Sequence, residues 1–227
     1  MEIRSLDNSV RSLDSPGFFQ APQWTQSGLF HLGVPAGGEQ QLLLTGDETQ
    51  GVGVIPGRVF FTANQDGTRI ALASISELQG VTAALQTVPR LPVNRLLVID
   101  VSSGTWDIVS DESFGAFFWS PDGERLLLIG SGDTAGSLRW SVWDGSLTAF
   151  ESFLPSPGFV LEFLPFFDQY AQSMTLWSPD GEAFAYPAMT GGLPGIWIQD
   201  IDGTDPIRLT DGSWVSWSTQ DPPLPSG

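Results

Sequence analysis

Reactive side chains are few in this chain, and their spacing limits the chemistry they could perform. There is one histidine, His31, and no cysteine, so thiol nucleophiles, disulfide frameworks and cysteine zinc sites are excluded. A Ser-His-Asp triad would have to use His31, which lies in an apolar run read as a strand, and no Gly-x-Ser-x-Gly elbow occurs. A single histidine in such a run is expected to pack or hydrogen-bond, not to catalyse. Acidic residues are abundant, with pairs such as Asp107 and Asp111 or Asp200 and Asp202. Glycosidase chemistry needs two carboxylates across a cleft, which this spacing does not show, and Asp122 and Asp180 are better explained by turn capping. The run Asp200-Ile201-Asp202-Gly203-Thr204-Asp205 is too short for an EF-hand loop and leaves only weak Ca²⁺ binding as an expectation. No phosphate loop or dinucleotide fingerprint appears, and no cofactor is expected.

Turns of this kind imply the elements that hold them. Phe117-Phe118-Trp119-Ser120-Pro121-Asp122-Gly123-Glu124 returns 58 residues later as Thr175-Leu176-Trp177-Ser178-Pro179-Asp180-Gly181-Glu182. A degenerate copy, Phe60 to Gly67, precedes the first by 56 residues and keeps Asp66 and Gly67. A weaker trace, Ser15-Pro16-Gly17, lies further upstream, and Trp214 to Ser218 starts another copy. In each, an apolar run ends where Pro presets φ, Asp caps the turn and Gly supplies positive φ. A second apolar run follows each turn, such as Arg125 to Ile129 or Ala183 to Tyr186, which makes a β-hairpin.

A second hairpin follows each first one. Arg95–Asp100 turns at Ser102-Ser103-Gly104 into Thr105–Val109, Leu138–Trp143 turns at Asp144-Gly145-Ser146 into Leu147–Phe150, and Gly195–Asp200 turns at Asp202-Gly203-Thr204 into Ile207–Thr210. In the earliest unit Gly28–Leu32 and Gln41–Thr45 are read as this second hairpin. The chain is therefore all-β, built of four-stranded antiparallel meanders that cannot bury both faces alone and must stack. Apolar runs of four to six residues broken by Gly and Asp exclude amphipathic helices as the main element.

The Trp-Ser-Pro-Asp-Gly turn with its downstream hairpins resembles the repeat of TolB-like β-propellers. Trp119–Gly123 and Trp177–Gly181 carry the motif in full, and the copies near Ser15 and Asp66 lack the Trp-Ser pair. The resemblance implies a propeller of about four blades, over approximately 9–45, 51–110, 114–152 and 173–210, with 214–218 opening a further or closing blade. TolB-like propellers usually have six or more blades, so the chain is expected to be part of a larger propeller. Relatives include periplasmic protein-interaction propellers and the gating domains of prolyl-oligopeptidase-type enzymes, whose triad sits on a separate hydrolase domain.

Function is expected on long loops over this scaffold. Meander topology puts the first-to-second and third-to-fourth strand turns at one end, and these are uniformly tight. The other end carries both long insertions, 75–94 and 155–173. The later one holds Phe166, Phe167, Asp168, Gln169 and Tyr170, a candidate hot spot for a protein or cationic ligand. The competing reading has Phe166 and Phe167 plugging the scaffold and Asp168 capping a short helix. Pro121, Asp122, Gly123, Pro179, Asp180 and Gly181 are assigned to turns, with Asp66 and Gly67.

Charge narrows the partners. Twenty-six acidic residues face nine arginines and no lysine, a net charge of −17. Such a surface repels nucleic acid and anionic membrane and favours a basic protein or peptide. No run approaches the length of a membrane span. Met1–Val10 lacks a signal-peptide core, so the chain as written reads as cytoplasmic; the family resemblance implies an extracytoplasmic or periplasmic site if a leader precedes it. The expected function is a non-catalytic protein- or peptide-binding scaffold, with a carbohydrate-active or hydrolytic propeller, or the propeller part of a larger peptidase-like protein, as the alternative.

Overall fold

A computed structural model describes residues 2–4, 10–12, 22–35, 38–75, 88–111, 114–173 and 176–218. The chain forms two compact units, 1–113 and 114–227. In the first, β1 (Glu2–Arg4) pairs antiparallel with β2 (Val10–Ser12). Two four-stranded antiparallel meanders follow: β3 (Gln23–Thr25), β4 (Gly28–Gly33), β5 (Gln41–Thr45) and β6 (Thr49–Val54), then β7 (Arg58–Ala63), β8 (Arg69–Ile75), β9 (Leu96–Asp100) and β10 (Trp106–Ser110). In the second unit β11 (Phe114–Trp119), β12 (Leu126–Ser131), β13 (Leu138–Trp143) and β14 (Leu147–Phe153) form another meander. A three-stranded sheet of β15 (Ala183–Thr190), β16 (Leu193–Asp200) and β17 (Ile207–Asp211) follows, and among the described residues before it a single bridge joins Trp177 to Phe184.

Alternation along the middle strands builds the core. Phe30 and Leu32, Leu42 and Leu44, Ile70 and Leu72, and Leu97 and Ile99 stand two residues apart, share a face of their strands, and meet in one buried cluster between the sheets of the first unit. Their neighbours Leu29, Leu43, Ala71 and Val98 are buried too, so the middle strands are covered on both faces. Fourth strands differ sharply. Every residue of β17 is exposed, and only Val109 of β10 is buried. In the second unit Trp140 joins the two sheets, packing against Phe153, Phe159, Phe184 and Tyr186 at centroid distances of 5.5 to 6.1 Å.

Two parts of the sequence reading change. The first sheet spans 23–54, not 9–45, so Gly28–Gly33 and Gln41–Thr45 are its second and third strands. Its first turn, Gln26-Ser27, has no Pro-Asp-Gly; Thr25 Oγ1 donates to the Gly28 carbonyl at 3.0 Å and Gly28 takes φ +132°. Ser15-Pro16-Gly17 lies outside the described residues. Trp214–Ser218 forms no strand. Trp217 instead donates from Nε1 to the Leu176 carbonyl at 2.8 Å, using its side chain where ladder pairing was expected.

Candidate binding surface

The repeated turns come first, because they fix what the loops stand on. In two copies the serine hydroxyl is the hub. Ser120 Oγ accepts from Arg125 N at 2.9 Å and lies 2.5 Å from Asp122 Oδ1, and Ser178 Oγ accepts from Ala183 N at 3.0 Å and lies 2.5 Å from Asp180 Oδ1. The aspartates then accept from Glu124 N and Glu182 N. In the degenerate copy Asn64 Oδ1 replaces the serine, accepting from Arg69 N at 2.9 Å, and Asp66 accepts from Thr68 N. Gly67, Gly123 and Gly181 have φ of +77°, +72° and +72°, the conformation the turn demands.

Hydrogen bonds set the acidity of these carboxyls. The Ser178 hydroxyl, then Glu182 N, hold Asp180 below its usual range, and Thr68 does the same for Asp66. Asp122 is also held low: burial pushes it up, but Ser120, Glu124 N and Arg125 outweigh that. Asp100, bonded by Ser102 and Ser103, falls to about 2. Carboxylates so held serve as turn acceptors and are poor proton donors at neutral pH. His31 is buried in β4, its Nε2 3.1 Å from Thr45 Oγ1 and its Nδ1 3.3 Å from the Leu32 carbonyl. Among the described residues no three carboxylates or imidazoles converge to hold a metal ion, those of Asp200–Asp205 included.

Indoles tie adjacent repeats together. Trp177 Nε1 donates to the Phe118 carbonyl at 3.1 Å, and Trp217 makes the corresponding bond one repeat later, to the carbonyl of Leu176. Phe118 and Leu176 each directly precede the Trp of their own repeat. Arg125 adds a second link, with its guanidinium 5.9 Å from the Trp177 ring and 3.2 Å from Glu182. In the first unit Gln23 takes this place, donating to the Phe61 carbonyl at 2.7 Å and accepting from Ala63 N at 2.8 Å.

The 155–173 insertion is a run of helical turns: a π-turn at Phe159–Phe163, a 3₁₀ turn at Leu164–Phe166 and α1 at Phe167–Tyr170. It begins where Pro155 bridges Ala188 and Ser156 Oγ accepts from Phe159 N at 3.3 Å. Phe159, Phe163 and Phe167 recur every four residues, the spacing of one helical face, and all three are buried. Phe159 packs on Trp140, Phe163 stacks on Phe118 at 5.7 Å, and Phe167 meets Phe117 edge-on at 4.9 Å. Tyr170 stacks on Phe163 at 6.1 Å, and Trp214 meets the same ring edge-on at 5.0 Å.

The five candidate residues therefore divide. Phe167, 3% exposed, is an anchor, whereas Phe166 is 44% exposed. Gln169 is exposed, and Asp168 and Tyr170 are half-buried. Asp168 lies in the first turn of α1, whose N-cap residue is Phe166. Sequence reasoning missed Leu161, 70% exposed, and Trp214, 45% exposed. The 75–94 insertion falls in the other unit, and its residues 76–87 lie outside the described residues.

No protein-family model matches the chain, and no curated protein is significantly similar to it. Solved structures do match. Oligogalacturonate lyase from Vibrio parahaemolyticus aligns at 16% identity over 91% of this chain and 57% of its own, with a TM-score of 0.53. The sheets are β-propeller blades. TolB from Acinetobacter baumannii aligns at 19% identity over 80% of this chain and 40% of its own, with a TM-score of 0.46. The β-propeller domain of the Trilobed protease from Pyrococcus furiosus aligns at 13% identity over 85% and 57%, with a TM-score of 0.48. The chain thus spans between 40% and 57% of these three structures. Identities this low speak to the fold and leave activity open.

Proposed function

We propose that the chain is a non-catalytic propeller module that holds a protein or peptide on the 155–173 segment. One observation carries the reading: Phe159, Phe163 and Phe167 fix this segment to the third blade while Leu161 and Phe166 stay exposed. Rigidly backed aromatic and aliphatic side chains bind at low entropic cost, and such groups dominate binding energy in interfaces. The turn aspartates Asp66, Asp122 and Asp180 are engaged in their own loops, which favours a structural role for them over a catalytic one.

The test is recovery of a partner on the immobilised protein from the cells that make it. Leu161→Ser with Phe166→Ser should lose that partner, whereas Asp107→Asn should keep it. Unchanged recovery by the double variant would remove the proposed surface. Turnover of aryl glycosides or chromogenic peptides, abolished by replacing one carboxylate, would favour an enzyme instead.

A further inference from the structure

Resting on the reading just given, we infer that the occupant of the 155–173 surface is a basic amphipathic segment, with Lys or Arg on one face and aliphatic or aromatic residues on the other. Charge is the first argument. Residues 114–227 contain fourteen carboxylates and three arginines, and no Arg or Lys occurs between Arg139 and Arg208. Of the carboxylates in that interval, Glu151, Glu162 and Asp168 lie in the segment or within four residues of it. The three arginines are each paired within the unit, Arg125 with Asp122 and Glu182, Arg139 with Asp133, and Arg208 with Asp211. The segment that exposes Leu161 and Phe166 itself carries Glu162 and Asp168 and no cation.

Shape is the second argument. Val160, Leu161 and Phe166 are exposed on consecutive turns of one segment, and Trp214 is exposed beside it against Phe163. Apolar side chains on a segment whose charged residues are Glu162 and Asp168 select a partner with apolar anchors and cationic flanks. A purely cationic ligand would leave these side chains in water. An acidic amphipathic partner would be repelled.

Binding of fluorescent 18-residue designed helices tests this, using a Leu/Lys peptide, a Leu/Glu peptide of the same pattern and a Ser/Lys peptide of the same charge. The Leu/Lys peptide should bind at least about ten-fold more tightly than either other. Leu161→Ser with Phe166→Ser should weaken it by about ten-fold or more, and Glu162→Lys several-fold, with unchanged circular dichroism. Raising NaCl from about 0.05 to 0.3 M should weaken it several-fold. Equal binding of Leu/Glu and Leu/Lys peptides, both lost in the double variant, would overturn the basic partner while sparing the surface. Equal binding of the Leu/Lys peptide to wild type and double variant would overturn the surface itself. Failure of the Leu/Lys peptide to bind would overturn the inference alone, since partner recovery reads the surface independently.

Discussion

Trp177→Phe is the sharpest probe of how these blades are joined. The Trp177 side chain is fully buried, and its Nε1 donates across blades to the Phe118 carbonyl at 3.1 Å. Phenylalanine keeps a six-membered ring against Phe184 but supplies no donor. Loss of that buried bond costs about 1 kcal/mol. Deleting the pyrrole ring from a packed site removes a further ~1–2 kcal/mol. The expected destabilisation is therefore about 2–3 kcal/mol, a large share of a domain's usual margin. Urea unfolding followed by far-ultraviolet circular dichroism measures it. Trp217→Phe, at a half-buried ring with the same type of bond, should cost about 1 kcal/mol. Trp106→Phe, on the exposed fourth strand β10, should stay within about 0.5 kcal/mol of wild type. A Trp177→Phe protein as stable as the Trp106→Phe control would refute indole bonding between repeats.

Further outcomes follow from particular sites. Gly67→Ala combines φ +77° with a Cβ driven into Thr25 Oγ1 and should cost at least ~2 kcal/mol, against ~1 kcal/mol for Gly104→Ala, where φ is +68° and space is open; urea midpoints compare the two. Burial pushes the His31 pKa below 6.5, outweighing the Leu32 carbonyl contact that raises it. The unfolded chain then binds the proton more readily, so stability present above pH ~6.5 falls as pH drops toward the folded pKa, by no more than ~1.4 kcal/mol per unit. Unfolding at several values between about pH 7.5 and 5.5 should show this slope, and His31→Gln should flatten it. An identical slope in both proteins would mean that His31 is not its source.

Legibility in the sequence followed how local the physics was. Pro-Asp-Gly turns, with Ser120 and Ser178 two residues before the aspartate, are closed by contacts within six residues, so their positions are legible in the sequence. The first blade is not legible locally because its turn at Gln26-Ser27 lacks Pro, Asp and Gly, which leaves no mark of Gly28–Gly33 as a second strand. Its stabilising partners are distant: Gln26 N donates to the Gln65 carbonyl at 3.2 Å and Ser27 Oγ to the Asp66 carbonyl at 2.6 Å. At the candidate site the four-residue spacing of Phe159, Phe163 and Phe167 was a readable helical signal. The adjacent Phe166-Phe167 pair masks that signal, since consecutive residues on helical turns cannot both face the core. Exposure of Trp214 could not be read, since it depends on contact with Phe163, fifty-one residues away.

Site-specific photocrosslinking in the cells that make the protein bears most directly on the binding claim. A photoreactive phenylalanine at position 166 is predicted to capture a partner protein, while the same group at position 209, still more exposed on β17, captures none. Capture from position 209 with none from position 166 would contradict the account.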